Sequence, residues 1–234
     1  MTRIETFTDA AFAFALTLLI ISFEPPTSLA ELTDAFSGIP AFVLSAAMLM
    51  LFWWGHHQWS RRYGQDDGVA FLLSCALVLT MLVYVYPLRF MFGVMMAWIG
   101  GMTGIPLGAG VSISGPEDVN RLFAIYGIGF STMAACIVLL NAHAWRCREA
   151  LELTALERFE TRSVIGSWGI LAVVGVISTL VALTVPSHHA GLPGWVYFPL
   201  WFVMPMYGTW MNRRRPVEVA PAPSAQVPLR GVAG

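Results

Sequence analysis

Over 234 residues this chain is 57% hydrophobic and only 12% charged, about half the charge of a soluble domain, which excludes that class. Its net charge of −1 rests on acids and arginines with no lysine, and the arginines are scattered over loops, which excludes a basic nucleic-acid-binding face. Cys75, Cys136 and Cys147 are odd in number and lie in or at the end of apolar runs, which excludes a disulfide framework and leaves them as small packing residues.

The first predicted element, residues 4–23, is a membrane helix whose first third is charged. Glu5 and Asp9 are expected to face protein or water, because charge at membrane depth is costly against lipid. From Ala10 to Phe23 only fourteen residues are free of charge, short for a lipid-facing span. At about 100° per residue, Phe7, Ala10, Phe14, Thr17 and Ile21 share one stripe. Asp9 lies to its side, and Phe12 is turned about 200° from Phe14. The stripe fits a packing seam or the wall of a narrow pore, with a hydrophobic constriction at Phe14 and a hydroxyl at Thr17. A signal peptide cleaved after Ser28-Leu29-Ala30 is the rival reading, and the two acids oppose it, because such segments begin basic. Glu24-Pro25-Pro26 ends the element.

Five more spans follow, at about 39–59, 69–92, 122–145, 164–185 and 195–211. The second closes on Trp53-Trp54-Gly55-His56-His57. Residues 93–119 read as a long Gly-rich outer loop. Residues 146–162 extend the fourth helix or begin the fifth, with Arg146 and Glu149, and Arg148 and Glu152, at helical spacing. Pro199 and Pro205 make the sixth span the least regular. This divides the chain into a six-helix channel domain, 1–212, and a Pro-rich cytoplasmic tail, 213–234, too poor in apolar residues to build a core. Eleven of the thirteen arginines then fall on one side and only Arg89 and Arg121 on the other. The positive-inside rule makes that side, and both termini, cytoplasmic.

Several chemistries are missing. There is no H-E-x-x-H, no G-x-x-x-x-G-K-[ST] and no G-x-S-x-G. No catalytic set, cofactor or metal centre is expected. His188-His189 reads as a solvated pair. For His56 and His57 three readings stand: hydrogen bonding between helices, a proton-linked role, or metal binding.

Arg3-x-x-x-Phe7-Thr8-Asp9-Ala10, followed by Phe12-Ala13-Phe14-Ala15-Leu16-Thr17-Leu18-Leu19, resembles the first-helix signature of the transmembrane protein 175 family. These are the endosomal and lysosomal potassium channels and their bacterial relatives. The family pattern is R-x-x-x-F-S-D, then A-x-x-A-I-x-x-T-L-L. The resemblance implies an all-α homotetramer with the first helix of each subunit around a central pore. Ala10, Phe14, Thr17, Leu18 and Ile21 would line it. Arg3, Phe7, Thr8 and Asp9 would hold the end of the helix, with Trp53 and His57 as partners. Thr8 replaces the usual serine, and Phe14 replaces a smaller Ile or Leu. The expectation is a potassium-selective passive channel of the bacterial inner membrane, with potassium ions and lipids as partners. The alternative is a proton-coupled secondary transporter working through Asp9 and a histidine, which the lack of visible repeats and broken helices disfavours.

Overall fold

Helix boundaries follow from local chemistry in the computed structural model, which describes residues 3–21, 26–108 and 111–216. Helix α1 (Arg3–Ile21) is followed by a short α2 (Leu29–Ser37). Helix α2 is started by Ser28, whose side chain accepts from Glu31 N–H, while Glu31 in turn accepts from Thr27. Helix α3 (Ile39–Tyr63) ends at Gly64, whose φ of 56° only glycine adopts without strain, and Gly64 N–H returns to the Ser60 carbonyl at 2.9 Å. Three residues later Asp67 caps α4 (Gly68–Thr103), accepting from Val69 and Ala70 N–H at 2.9 Å each. The α3–α4 hairpin is thus written locally.

Helix α5 (Pro116–Arg146) begins with proline in its first turn and α6 (Ala155–Thr184) with a capping box between Thr154 and Glu157. A 3-10 turn (Ser187–His189) and a four-residue α7 (Leu192–Trp195) lead to α8 (Leu200–Arg213). No strand occurs among the described residues.

Side-chain bonds across the bundle show the helices alternating in direction. At one end, His143 meets Asp67 at 2.7 Å, Tyr63 meets Thr161 at 2.7 Å, and Arg62 pairs with Glu160 at 2.8 Å. At the other end, Asn120 donates to the Val185 carbonyl. The main core runs through all the long helices: Phe12 and Leu19 of α1, Leu49 and Phe52 of α3, Leu77 and Met81 of α4, and Met133 and Ile137 of α5. A second cluster around Trp59, Tyr63, Leu140 and Leu153 closes the charged end.

Helices α5 and α6 approach most closely, through small residues. A Cβ at Gly127 would meet the Thr179 hydroxyl, and one at Gly175 the Ser131 hydroxyl. Those two hydroxyls donate to the carbonyls of Gly175 and Gly127 in their own helices, at 2.9 and 2.6 Å. This small-x-x-x-small pairing suits a bilayer, where tight packing rather than hydrophobicity drives association.

Helices α3, α4, α5 and α6 are long and apolar enough to cross a membrane. Helix α1 carries Arg3, Glu5 and Asp9 in nineteen residues, and α8 has only fourteen, about 21 Å of helix against about 30 Å of hydrocarbon. From Leu192 to Arg213, however, the chain keeps turning. Bonds such as Tyr197 N–H to Gly194 and Leu200 N–H to Tyr197 link α7 to α8 past Pro199, which has no N–H to give.

Three expectations need correction. Residues 93–103 are helix rather than loop: α4 runs for 36 residues, about 54 Å, so it continues well past one bilayer thickness. Gly93 and Gly100 are tolerated there because Val111 and the Ile105–Leu107 backbone pack directly onto them. Of the stretch 146–162, residues from Ala155 on do begin the next long helix, α6, but the fourth span is not extended, since α5 stops at Arg146 and turns precede Thr154. Arg148 pairs with Glu149 at 3.6 Å rather than with Glu152. Glu160, not singled out by spacing, carries both Arg62 and Arg215. Of the tail, residues 217–234 lie outside the described residues.

Candidate functional site

Helix α1 has two faces of opposite character. Ile4, Thr8, Phe12, Ala15 and Leu19 are buried against α3 and α4. Across the helix, Phe7, Phe14 and Ile20 are each 55–56% exposed, and Ala10, Ala13 and Thr17 between them are exposed as well. Of the stripe read from the sequence, Phe7, Ala10, Phe14 and Thr17 therefore lie on the uncovered face, while the Ile21 side chain lies outside the described residues. Leu18 is placed differently: it is partly buried and packs on the core. Ile20 joins the uncovered face although the motif did not mark it; its spacing of three from Thr17 was the available signal.

The Thr17 hydroxyl donates to the Ala13 carbonyl at 3.0 Å. Its proton is thus engaged within the helix, and the oxygen lone pairs remain available on the uncovered side. The surrounding Phe14, Ala13 and Ile20 side chains are apolar. A hydroxyl between apolar collars is chemically suited to touch a cation and unsuited to catalyse a reaction.

The charged end of α1 is fixed by α3. Trp53 Nε1–H donates to Asp9 Oδ1 at 2.8 Å. His57 Nδ1 lies 3.9 Å from Glu5 Oε1, and the His57 ring stacks on Trp53 with centroids 5.0 Å apart. Asp9, Trp53 and His57, separated by more than forty residues, thus meet in one cluster. Glu5, which the motif does not contain, completes it: the ligand atoms of Glu5, Asp9 and His57 all lie within 4.8 Å of one another. Spacing of four residues put Glu5 beside Asp9, and the family resemblance, not any spacing, pointed to His57 as a partner of this end of the helix.

The other motif residues are distributed. Thr8 is fully buried and its hydroxyl finds no hydrogen-bond partner among the described residues. Phe7 projects from the uncovered face and Arg3 is exposed. His56 turns away from this cluster to the Ser74 hydroxyl, at 3.0 Å, and so links α3 to α4. His188 and His189 sit next to each other on the turn before α7, both exposed.

Comparison with known proteins gives a consistent result. Residues 3–87 match the family described as endosomal/lysosomal potassium channel TMEM175. A protein of Marivirga tractuosa named potassium channel is 30% identical over 213 residues, spanning 88% of this chain and 86% of its own length. The crystal structure of a point variant of the potassium channel MtTMEM175, bound to a nanobody fusion protein, is similar with a TM-score of 0.79 at 28% identity, covering 91% of this chain and 94% of that one. A lysosomal potassium-selective channel TMEM175 homolog from Chamaesiphon minutus has a TM-score of 0.56 at 16% identity, covering 90% of this chain and 97% of that one, a likeness of fold alone. With apolar helices of membrane-spanning length, a first-helix motif and relatives along nearly its whole length, the chain belongs to the TMEM175 potassium channel family, a family of ion channels and not of enzymes.

Proposed function

We propose that the protein conducts potassium ions passively through a central pore built by four copies, each contributing α1. The observation that carries this reading is the uncovered face of α1. It is a stripe of Phe7, Ala10, Phe14 and Thr17 that no other described element of the subunit covers, on a helix whose other face is locked to α3 and α4. One such helix cannot enclose a channel, so cyclic symmetry supplies the others.

In this arrangement Phe14 forms the hydrophobic constriction, which gates by dewetting. One turn further on, the Thr17 hydroxyls offer oxygen to a partly dehydrated cation. Leu18 and Ile21 flank the same passage, Leu18 entering it only if α1 rotates away from the core. Asp9 and Trp53 hold the charged end of α1 against α3. The chain spans the membrane six times, α1 and the α7–α8 segment included, in the bacterial inner membrane with both termini cytoplasmic. A homotetramer, potassium as the permeant ion, and lipid around the outward faces of α4 and α6 complete the proposal.

The test is purified protein in planar bilayers under a potassium/sodium bi-ionic gradient. A reversal potential displaced toward that of potassium supports the channel. Absence of current at every pH, together with proton-dependent solute uptake into liposomes, overturns it in favour of a transporter.

A further inference from the structure

We propose that Glu5, Asp9 and His57 form a binding site for a divalent first-row transition-metal ion, which ties the charged end of α1 to α3. Three observations carry it. The first is composition and reach. Two carboxylates four residues apart share one face of α1, and an imidazole from α3 meets them, with one ligand atom of each inside 4.8 Å of the others. In a tetrahedral site with bonds of about 2.0–2.2 Å, ligand atoms stand about 3.4 Å apart. His57 Nδ1 and Glu5 Oε1, at 3.9 Å, need close by only about half an ångström, which a carboxylate rotation supplies.

The second is the state of the histidine. Nδ1 of His57 is shut off from solvent and takes part in no hydrogen bond, yet it points at Glu5. A buried ring nitrogen without a partner is costly, and a metal ion would engage it. The third is the way the ligands are held. Trp53 stacks under the His57 ring and gives its Nε1–H to Asp9 Oδ1. Trp53 thus fixes the orientation of two ligands through one side chain, as outer partners of metal ligands do.

Glu5 is nearly buried, with a side-chain exposure of 7%. The donor set of two oxygens and one imidazole nitrogen, without sulfur, suits zinc, cobalt, manganese or iron(II) rather than copper(I). The imidazole argues against calcium and magnesium, which take oxygen. Three protein ligands leave a position open to water.

The site does not depend on whether α1 lines a pore, and the experiment keeps the two apart. Untagged full-length protein carrying His188→Ala and His189→Ala, which removes the exposed histidine pair, is titrated with cobalt(II) chloride while the visible d–d absorption is followed. The expected result is a saturable band that zinc(II) chloride displaces. Glu5→Gln and His57→Ala should each weaken cobalt binding at least tenfold. Trp53→Phe should weaken it by about tenfold through Asp9. Elution of each variant at the wild-type position on size exclusion shows that it is folded. Equal cobalt affinity in the folded Glu5→Gln variant and its parent overturns the proposal, and so does the absence of any band at millimolar cobalt. Zinc should also raise the melting temperature of the parent and not of the Glu5→Gln variant.

Discussion

At the residue scale the chemistry concentrates on α1, and the two faces of that helix predict opposite outcomes for neighbouring phenylalanines. Phe14 stands on the uncovered face and Phe12 is 3% exposed in the core. Phe14→Ala is expected to leave folding intact, enlarge the cation current and weaken discrimination between potassium and sodium, because a wider apolar ring no longer excludes water. Phe12→Ala is expected to lose stability by about 3–5 kcal/mol through the cavity it leaves, so the control for pore effects is Leu79→Ala on the outward face of α4, where the side chain is exposed. Equal bilayer currents for Phe14→Ala and Leu79→Ala would remove Phe14 from the pore. Asp9→Ala orphans the Trp53 indole donor, which costs about 1–3 kcal/mol. The expected readout is a lower melting temperature and less assembled oligomer in the same detergent, with the reversal potential of the surviving channels unchanged. Normal assembly with a shifted reversal potential would contradict the structural role given to Asp9.

At the element scale two contacts make sharp predictions. The α5–α6 seam has no room: Gly175→Leu forces a side chain against Ser131 and Phe130, whereas at Gly169 on the same helix an added Cβ has nothing within 4 Å, so Gly169→Leu starts into open space. Loss of folded protein on size exclusion is expected for the first and not the second. Asp67 caps α4 and joins it to α5 through His143. Its carboxyl is held below the ordinary value, first by the His143 hydrogen bond and then by the Ala70 N–H. A carboxyl lowered in the folded state stabilises above its unfolded pKa of about 3.9 and loses that contribution as pH falls through the lower native value. Asp67→Ala should therefore lower the melting temperature at pH 7, with the difference from wild type vanishing as the pH drops below about 4. A difference that persists unchanged at pH 3 would assign the effect to packing instead. The helix caps Gly64, Asp67 and Thr154 act within four residues of where they sit, so their signal is local, although the hydrophobic pattern singled out none of them. The extent of α4 is not set locally: glycines normally weaken helices, and only segments packed onto Gly93 and Gly100 from later in the chain explain why the helix continues.

At the scale of the whole molecule, the alternation of the long helices and the arginine asymmetry make one topological prediction. With the native cysteines replaced, Asp66→Cys in the α3–α4 turn should resist a membrane-impermeant thiol reagent applied to intact cells, while Ser114→Cys before α5 should react. Both residues are exposed, so accessibility is decided by side alone, and the reverse labelling would invert the orientation. Assembly is tested by light scattering of the purified protein, where a protein mass about four times 25.7 kDa is expected. The amino-acid sequence by itself determined the membrane class, most of the helical elements and the stripe along α1, because each of these is written in composition or in a period of 3.6 residues within one segment. Only the tertiary structure decided which face of α1 is covered, that Trp53 rather than His57 holds Asp9, that Glu5 and His57 meet, and how α5 and α6 interlock. Those are distances between segments tens of residues apart, and they are set by which small residues let two backbones approach, a property of helix pairs rather than of either helix alone.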